Sequence, residues 1–139
     1  MAGDRQATHS SGLKFKIKTK IFKFSNKLLY PRDFIVGYSG SLSVVGDVLA
    51  FLADDQGQTK MPKIKGEAEF LVLTEDKQIF TFFNVSSWIL LDEPHYSIGS
   101  GSHIAMGALK AGASPKDAVK AASECDPSTG MGVKVVNFK

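Results

Sequence analysis

Cysteine is almost missing from this 139-residue chain: Cys125 stands alone, so no intrachain disulfide can form, and its use fits a reducing, cytosolic setting. No apolar run reaches the roughly 18 residues that a spanning helix needs, which argues against a membrane protein. The start, Met1-Ala-Gly-Asp-Arg5, meets an acid almost at once and has no apolar stretch, unlike a secretory signal. Strong charge of either sign is also lacking, with a formal net charge of only +3. The three histidines, His9, His95 and His103, have no metal-ligand spacing, so no metal is expected and they read as surface or loop residues. Gly99 to Gly107 is no dinucleotide fingerprint, because Ile104 stands where the third glycine is required, and no cofactor is implied. There are no repeats and no low-complexity tracts. What remains is ordinary globular composition, 43% hydrophobic and 22% charged, enough to bury a core as one domain spanning 1–139.

The pattern along the chain is that of strands, one helix, more strands, two helices and a last strand. Gly3-Asp-Arg-Gln-Ala-Thr8 reads as the end of a strand. From Lys14 to Phe24, lysines 14, 16, 18 and 20 alternate with Phe15, Ile17 and Thr19, which predicts a strand with one buried face and a change of phase near Ile21. Phe34 to Tyr38 predicts another strand. Leu42, Val45, Val48, Leu49 and Leu52 are spaced as the apolar stripe of a helix ending near Asp54. A polar loop is expected over Asp55 to Gly66. Strands are then expected over Ala68 to Thr74, Gln78 to Phe83 and Val85 to Leu91. Helices follow from about Ser102 to Ala111, stopped by Gly112, and from a cap at Ser114 with Pro115 in the first turn and Asp117 in the capping-box position. Ala118, Val119 and Ala122 give that helix a small-residue face. Asp126-Pro-Ser-Thr-Gly130 breaks it, and Val133 to Phe138 is a final strand. This order predicts an α+β layered architecture with mainly antiparallel sheets.

Two features carry chemistry. Tyr96-Ser-Ile-Gly-Ser-Gly-Ser102 predicts a strand-like approach, a tight turn and a helix start, a junction at which small residues admit a sharp bend and hydroxyls and amides gather. The lysine row from Lys14 to Lys27 could face phosphates, but no aromatic platform is interleaved with it, and the residues favour a solvated strand face over nucleic acid. Cys125 is expected to be a small buried residue near a helix end. Asp4 and Lys20 are in any case able to form a structural ion pair.

The same residues, in this order, resemble the proteasome β-subunit and HslV peptidase family, the N-terminal nucleophile hydrolases. Gly3-Asp-Arg-Gln-Ala-Thr8, Lys20-Ile-Phe-Lys23, Tyr38-Ser-Gly-Ser41, Tyr96 to Ser102 and Asp126-Pro-Ser-Thr-Gly130 carry the resemblance, which spans essentially the whole chain. It implies a layered αββα sandwich of antiparallel sheets flanked by helices. It also implies roles. Lys20 matches the catalytic lysine and Asp4 the acid that holds it; Gly40 matches the backbone oxyanion donor. Ser100 matches the serine that bonds the terminal amine, Asp126 and Thr129 the acid and hydroxyl that complete that network, and Ser102 is a looser match.

The sequence departs from the family in two places. The family's nucleophile, a threonine, serine or cysteine at the very N-terminus, lies on a strand preceding the one that ends at Asp4. No such strand precedes Met1, and Thr8 lies downstream of Asp4. The loop from Asp55 to Gly66 stands where the family has another helix. These departures lead to an expected non-catalytic structural or assembly subunit, in a homo-oligomer or a larger particle such as a phage virion, in which Asp4, Lys20, Gly40, Ser100, Asp126 and Thr129 are vestigial or supporting. The alternative is a threonine-type peptidase acting on polypeptides, with its N-terminus upstream of Met1. A third is a sheet edge completed by a strand donated from another chain.

Overall fold

The computed structural model describes residues 1–8, 11–64, 68–85 and 87–138. His9 and the Gly66 end of the expected loop lie outside the described residues. The centre is an antiparallel five-stranded meander: β4 (Ile21–Phe24), β5 (Phe34–Gly40), β6 (Ala68–Thr74), β7 (Ile79–Asn84) and β8 (Ser87–Leu91), in that spatial order. Helix α1 (Leu42–Ala53) is the excursion between β5 and β6. Because side chains alternate across a strand, Phe34, Val36, Tyr38, Phe70, Val72 and Phe82 share one face, and there they form a single core with Val45, Val48 and Leu52 of α1. Burying this set is the main hydrophobic gain of the fold, at roughly 1.5–3 kcal/mol per large side chain.

The α1 end is tied down by Asn26, which is 2% exposed. Its amide donates to the carbonyls of Leu52 and Asp54, each at 3.0 Å, and its oxygen accepts from the backbone of Leu28 at 3.0 Å. The turn expected at residues 75–77 closes β6 onto β7, with Thr74 N–H and the Gln78 carbonyl bonded at 3.0 Å.

On the other side of the meander lie two short antiparallel ladders and a helix pair. β1 (Ala2–Asp4) pairs with β9 (Val133–Val135), and β2 (Gln6–Thr8) with β3 (Lys14–Lys16). α2 (Ser102–Lys110) and α3 (Pro115–Cys125) pack on each other through Ala105, Leu109, Ala118 and Ala122. α3 is capped as its sequence requires: the Ser114 hydroxyl accepts from the Asp117 amide at 3.1 Å and donates to the Asp117 carboxylate at 2.7 Å. α3 in turn packs on β1 and β9. The result is the layered sandwich of antiparallel sheets flanked by helices.

Several details differ from expectation. Lys14 to Phe24 is two strands, because residues 14–16 pair with β2 while residues 21–24 pair with β5. Phe15, expected on a buried face, is 40% exposed, since its side of β3 opens onto a cavity. β8 begins at Ser87 and β9 stops at Val135. The approach to Gly99 is irregular, held by the Ser97 hydroxyl donating to the Ser102 carbonyl at 2.7 Å. Cys125 is exposed, because it sits in the last turn of α3 beyond Ala122, the last residue of the buried stripe. From 55 to 64 the loop after α1 contains no helix.

Candidate functional site

The meander and the helix pair do not close on each other. Between them lies a cavity of about 1490 Å³. Gly37, Leu71, Leu73 and Ile79 line it from the sheet, Ala105, Leu109, Ala118 and Ala122 from the helices, and β1 and β2 from the rim. Protein interiors are packed to crystal-like density, so an opening of this size is a feature rather than an imperfection. It also exceeds the roughly 300–1,000 Å³ of small-molecule pockets.

Five of the six candidate residues, Asp4, Lys20, Gly40, Ser100 and Thr129, line this cavity, and Asp126 stands directly behind two of them. Asp4 ends β1 and Lys20 immediately precedes β4. The Lys20 ammonium donates to Asp4 Oδ1 at 2.8 Å, with both side chains largely covered. The second oxygen, Oδ2, accepts the backbone amides of Gln6 and Gly130, each at 3.1 Å. One carboxylate therefore joins β1, the lysine before β4 and the loop after α3.

Ser100, Asp126 and Thr129 form the second group. Asp126 Oδ2 accepts the hydroxyls of Ser100 and Thr129, each at 2.6 Å, and Oδ1 accepts the Ser128 amide at 3.3 Å. The Ser100 hydroxyl, then the Thr129 hydroxyl, hold the Asp126 carboxyl below its ordinary range, because both bonds favour the anion. The Gly130 amide on Asp4 links this group to the first.

The glycines of the turn make the approach possible. Gly99 has φ 91°, and a Cβ there would meet the Ser39 hydroxyl at 2.7 Å. At Gly101 a Cβ would meet Thr129 Oγ1 at 2.9 Å and the Ala122 methyl at 3.0 Å. The turn thus lies against β5 on one side and the α3 end on the other. Gly40 ends β5 beside Ser39 and lines the cavity, but it is not bonded to either group.

Sequence reasoning missed four contributors. Glu69 on β6 accepts the Gly99 amide at 2.9 Å and so pins the turn to the sheet. Gln6, 6% exposed, donates to the Pro127 carbonyl at 2.8 Å, and the Lys14 ammonium donates to the same carbonyl at 2.6 Å. Tyr38 lies close enough to Asp4 for burial, and then that carboxylate's charge, to push its phenol up. The available signal was an acid, Glu69, inside the otherwise apolar run Ala68 to Leu73, and an amide, Gln6, between Asp4 and Thr8.

Among the described residues no group of three or more His, Cys, Asp or Glu side chains could hold a metal ion, and no helix is long and apolar enough to cross a membrane. The arrangement has a lysine held by an acid, an acid fed by two hydroxyls, and open space beside both.

No family model and no curated protein sequence matches the chain. Solved structures do. HslV from Trypanosoma brucei is similar at 17% identity, covering 96% of this chain and 88% of that one with a TM-score of 0.67. Anbu from Hyphomicrobium sp. strain MC1 is similar at 12% identity over 95% of this chain and 73% of that one, with a TM-score of 0.69. The helical assembly of the Anbu complex from Pseudomonas aeruginosa gives 13% identity, 95% and 73% coverage, and a TM-score of 0.66. The layered sandwich built around this cavity is therefore the proteasome-like fold of HslV and Anbu.

Proposed function

We propose that the chain is an HslV/Anbu-like subunit acting as a non-catalytic structural or assembly protein, built into a homo-oligomer or a larger particle such as a phage virion. The observation that carries this reading is the bonding at Lys20: its ammonium donates to Asp4 Oδ1 at 2.8 Å rather than to a hydroxyl or thiol. A nucleophilic hydrolase needs such a group beside its activating base. Ser100 and Thr129, two hydroxyls lining the same cavity, both donate to Asp126. In this reading Asp4 and Asp126 are fasteners that hold β1, β4, the turn before α2 and the loop after α3 in one arrangement. The solved helical assembly of Anbu supports self-association.

A second reading, a threonine-type peptidase with its N-terminus upstream of Met1 and polypeptides as substrate, is favoured by the cavity itself. It lies beside Lys20, and β1 on its rim pairs only with β9 among the described strands. That leaves a strand edge and the volume for a further strand, supplied from upstream or donated by another chain. N-terminal sequencing and intact mass of the native protein separate the two readings. A chain beginning at Met1 that turns over no fluorogenic peptide supports the structural role. Extra residues beginning with threonine, together with turnover abolished in Lys20→Ala, would replace it with the peptidase.

A further inference from the structure

We propose that β8 is the self-association surface: two copies pair their β8 strands antiparallel about a twofold axis at Ile89, joining two meanders into one continuous sheet. The inference rests on the self-association reading above and names the surface and the partner, a second copy of this chain.

β8 is the terminal strand of the meander. Its inner edge pairs with β7, and among the described residues its outer edge carries no strand. Ser87-Trp-Ile-Leu-Leu91 contains no charge and no proline, the usual devices that stop an edge from recruiting another strand. The opposite edge is treated differently. β4 carries Lys23, whose ammonium lies 5.4 Å from the Phe138 ring centre and 3.8 Å from Asp33. One edge is guarded and the other is bare.

The exposed side chains argue for pairing in the plane of the sheet. Ile89 is 48% and Leu90 55% exposed. As neighbours in a strand they point to opposite faces: Ile89, opposite Thr81, to the cavity side and Leu90, opposite Phe80, to the α1 side. A partner pressed on either face would cover only one of them. An added strand with its own side chains covers both.

The strand's own sequence suits that role. Centred on Ile89, antiparallel pairing sets Ile89 against Ile89, Trp88 against Leu90 and Ser87 against Leu91, so apolar side chains meet on both faces. Leu90 of the second copy then lies against the Trp88 ring, which lines a second cavity of about 390 Å³ with Leu28, Tyr30, Met61 and Phe80. Leu28 and Met61 are themselves 65% and 46% exposed. Charge selects the direction. The chain leaves β8 through Asp92-Glu93 and enters it through the uncharged Val85 and Ser87. Antiparallel pairing sets the acidic end of one copy beside the uncharged end of the other, whereas parallel pairing would set Asp92 beside Asp92.

Sedimentation equilibrium of the full chain, wild type against Ile89→Lys, tests this. Two lysines would face each other across the axis, and association is expected to weaken by at least about tenfold, with the circular dichroism melt retained because the position is exposed. Leu13→Lys, at a residue 67% exposed on the loop before β3, is expected to change nothing. In a Cys125→Ser background, Ile89→Cys is expected to give an oxidised, disulfide-linked dimer, since opposed residues of an antiparallel pair lie within disulfide reach. Association unchanged by Ile89→Lys, or no cross-link from Ile89→Cys, would overturn the β8 pairing while leaving self-association standing. A wild type that is monomeric throughout would overturn both.

Discussion

Removing the carboxylate of Asp4 breaks three bonds at once, whereas removing the ammonium of Lys20 breaks one, and this asymmetry can be measured. In Asp4→Ala the lysine loses its 2.8 Å partner and the amides of Gln6 and Gly130 lose their 3.1 Å acceptor. A hydrogen bond to a charged group contributes about 1.5–3 kcal/mol, and an abandoned amide costs about 1–3 kcal/mol when buried. Here all the groups are part-buried, so water recovers some of that loss. The expected cost of Asp4→Ala is therefore about 3 kcal/mol. Lys20→Met leaves Asp4 with both amides and costs about 1.5 kcal/mol. The gross attraction of the pair, about 6 kcal/mol at 2.8 Å and an effective dielectric of 20, is reduced toward that net value by the desolvation of both groups. The double variant should cost no more than Asp4→Ala, giving a coupling of about 1.5 kcal/mol. Urea titrations followed by circular dichroism at pH 7 give the four free energies, and Asp4→Ala should lower Tm by about 10 °C. Equal costs for the two single variants, or a coupling below about 0.5 kcal/mol, would place the pair with ordinary exposed salt bridges and refute the fastening role.

Two further outcomes follow from the turn and its acid. Gly101→Ala is expected to cost about 1–3 kcal/mol in a thermal melt, because the new methyl would sit 2.9 Å from Thr129 Oγ1 and 3.0 Å from the Ala122 methyl; an unchanged Tm would mean the α3 end yields freely. The Asp126 carboxyl is held low by Ser100 and Thr129, so its contribution is present above the unfolded carboxylate range and is lost as pH falls through its folded value. Ser100→Ala/Thr129→Ala should therefore be clearly less stable than wild type at pH 6 and close to it once Asp126 is protonated, with other lowered acids such as Asp33 and Asp54 cancelling in the difference. A gap independent of pH in urea titrations would remove Asp126 from the account.

Much of the architecture was legible because local patterns carried it. Ala68 to Thr74 is apolar at alternate positions and ends in a polar turn, and β6 has those bounds. The α1 stripe and the Ser114 cap placed two helices to within a residue or so. Asp4, Lys20, Ser100, Asp126 and Thr129 were singled out through the family resemblance, and the fold brings them into two linked groups. What was not legible depends on pairing across the chain. Alternation from Lys14 to Phe24 specifies which side chains share a face, but not that one half joins β2 and the other β5. Glu69 looks like a solvated strand residue until Gly99, 30 positions later, arrives with its amide. The cavity has no sequence signature at all, since Leu71, Leu73, Ala118 and Ala122 would look the same whether they touched each other or faced open space.

That open space divides the molecule's apolar side chains into two bodies, the large cluster around α1 and the meander and the small one between α2 and α3. Cooperativity in a small protein comes from a core that cannot be opened in part. Here the smaller body rests on β1 and β9 and is pinned by hydrogen bonds from Asp4, Gln6 and Glu69. The two apolar bodies share no side chains across the gap, so whatever fills it, strand or partner, would join two separate cores into one.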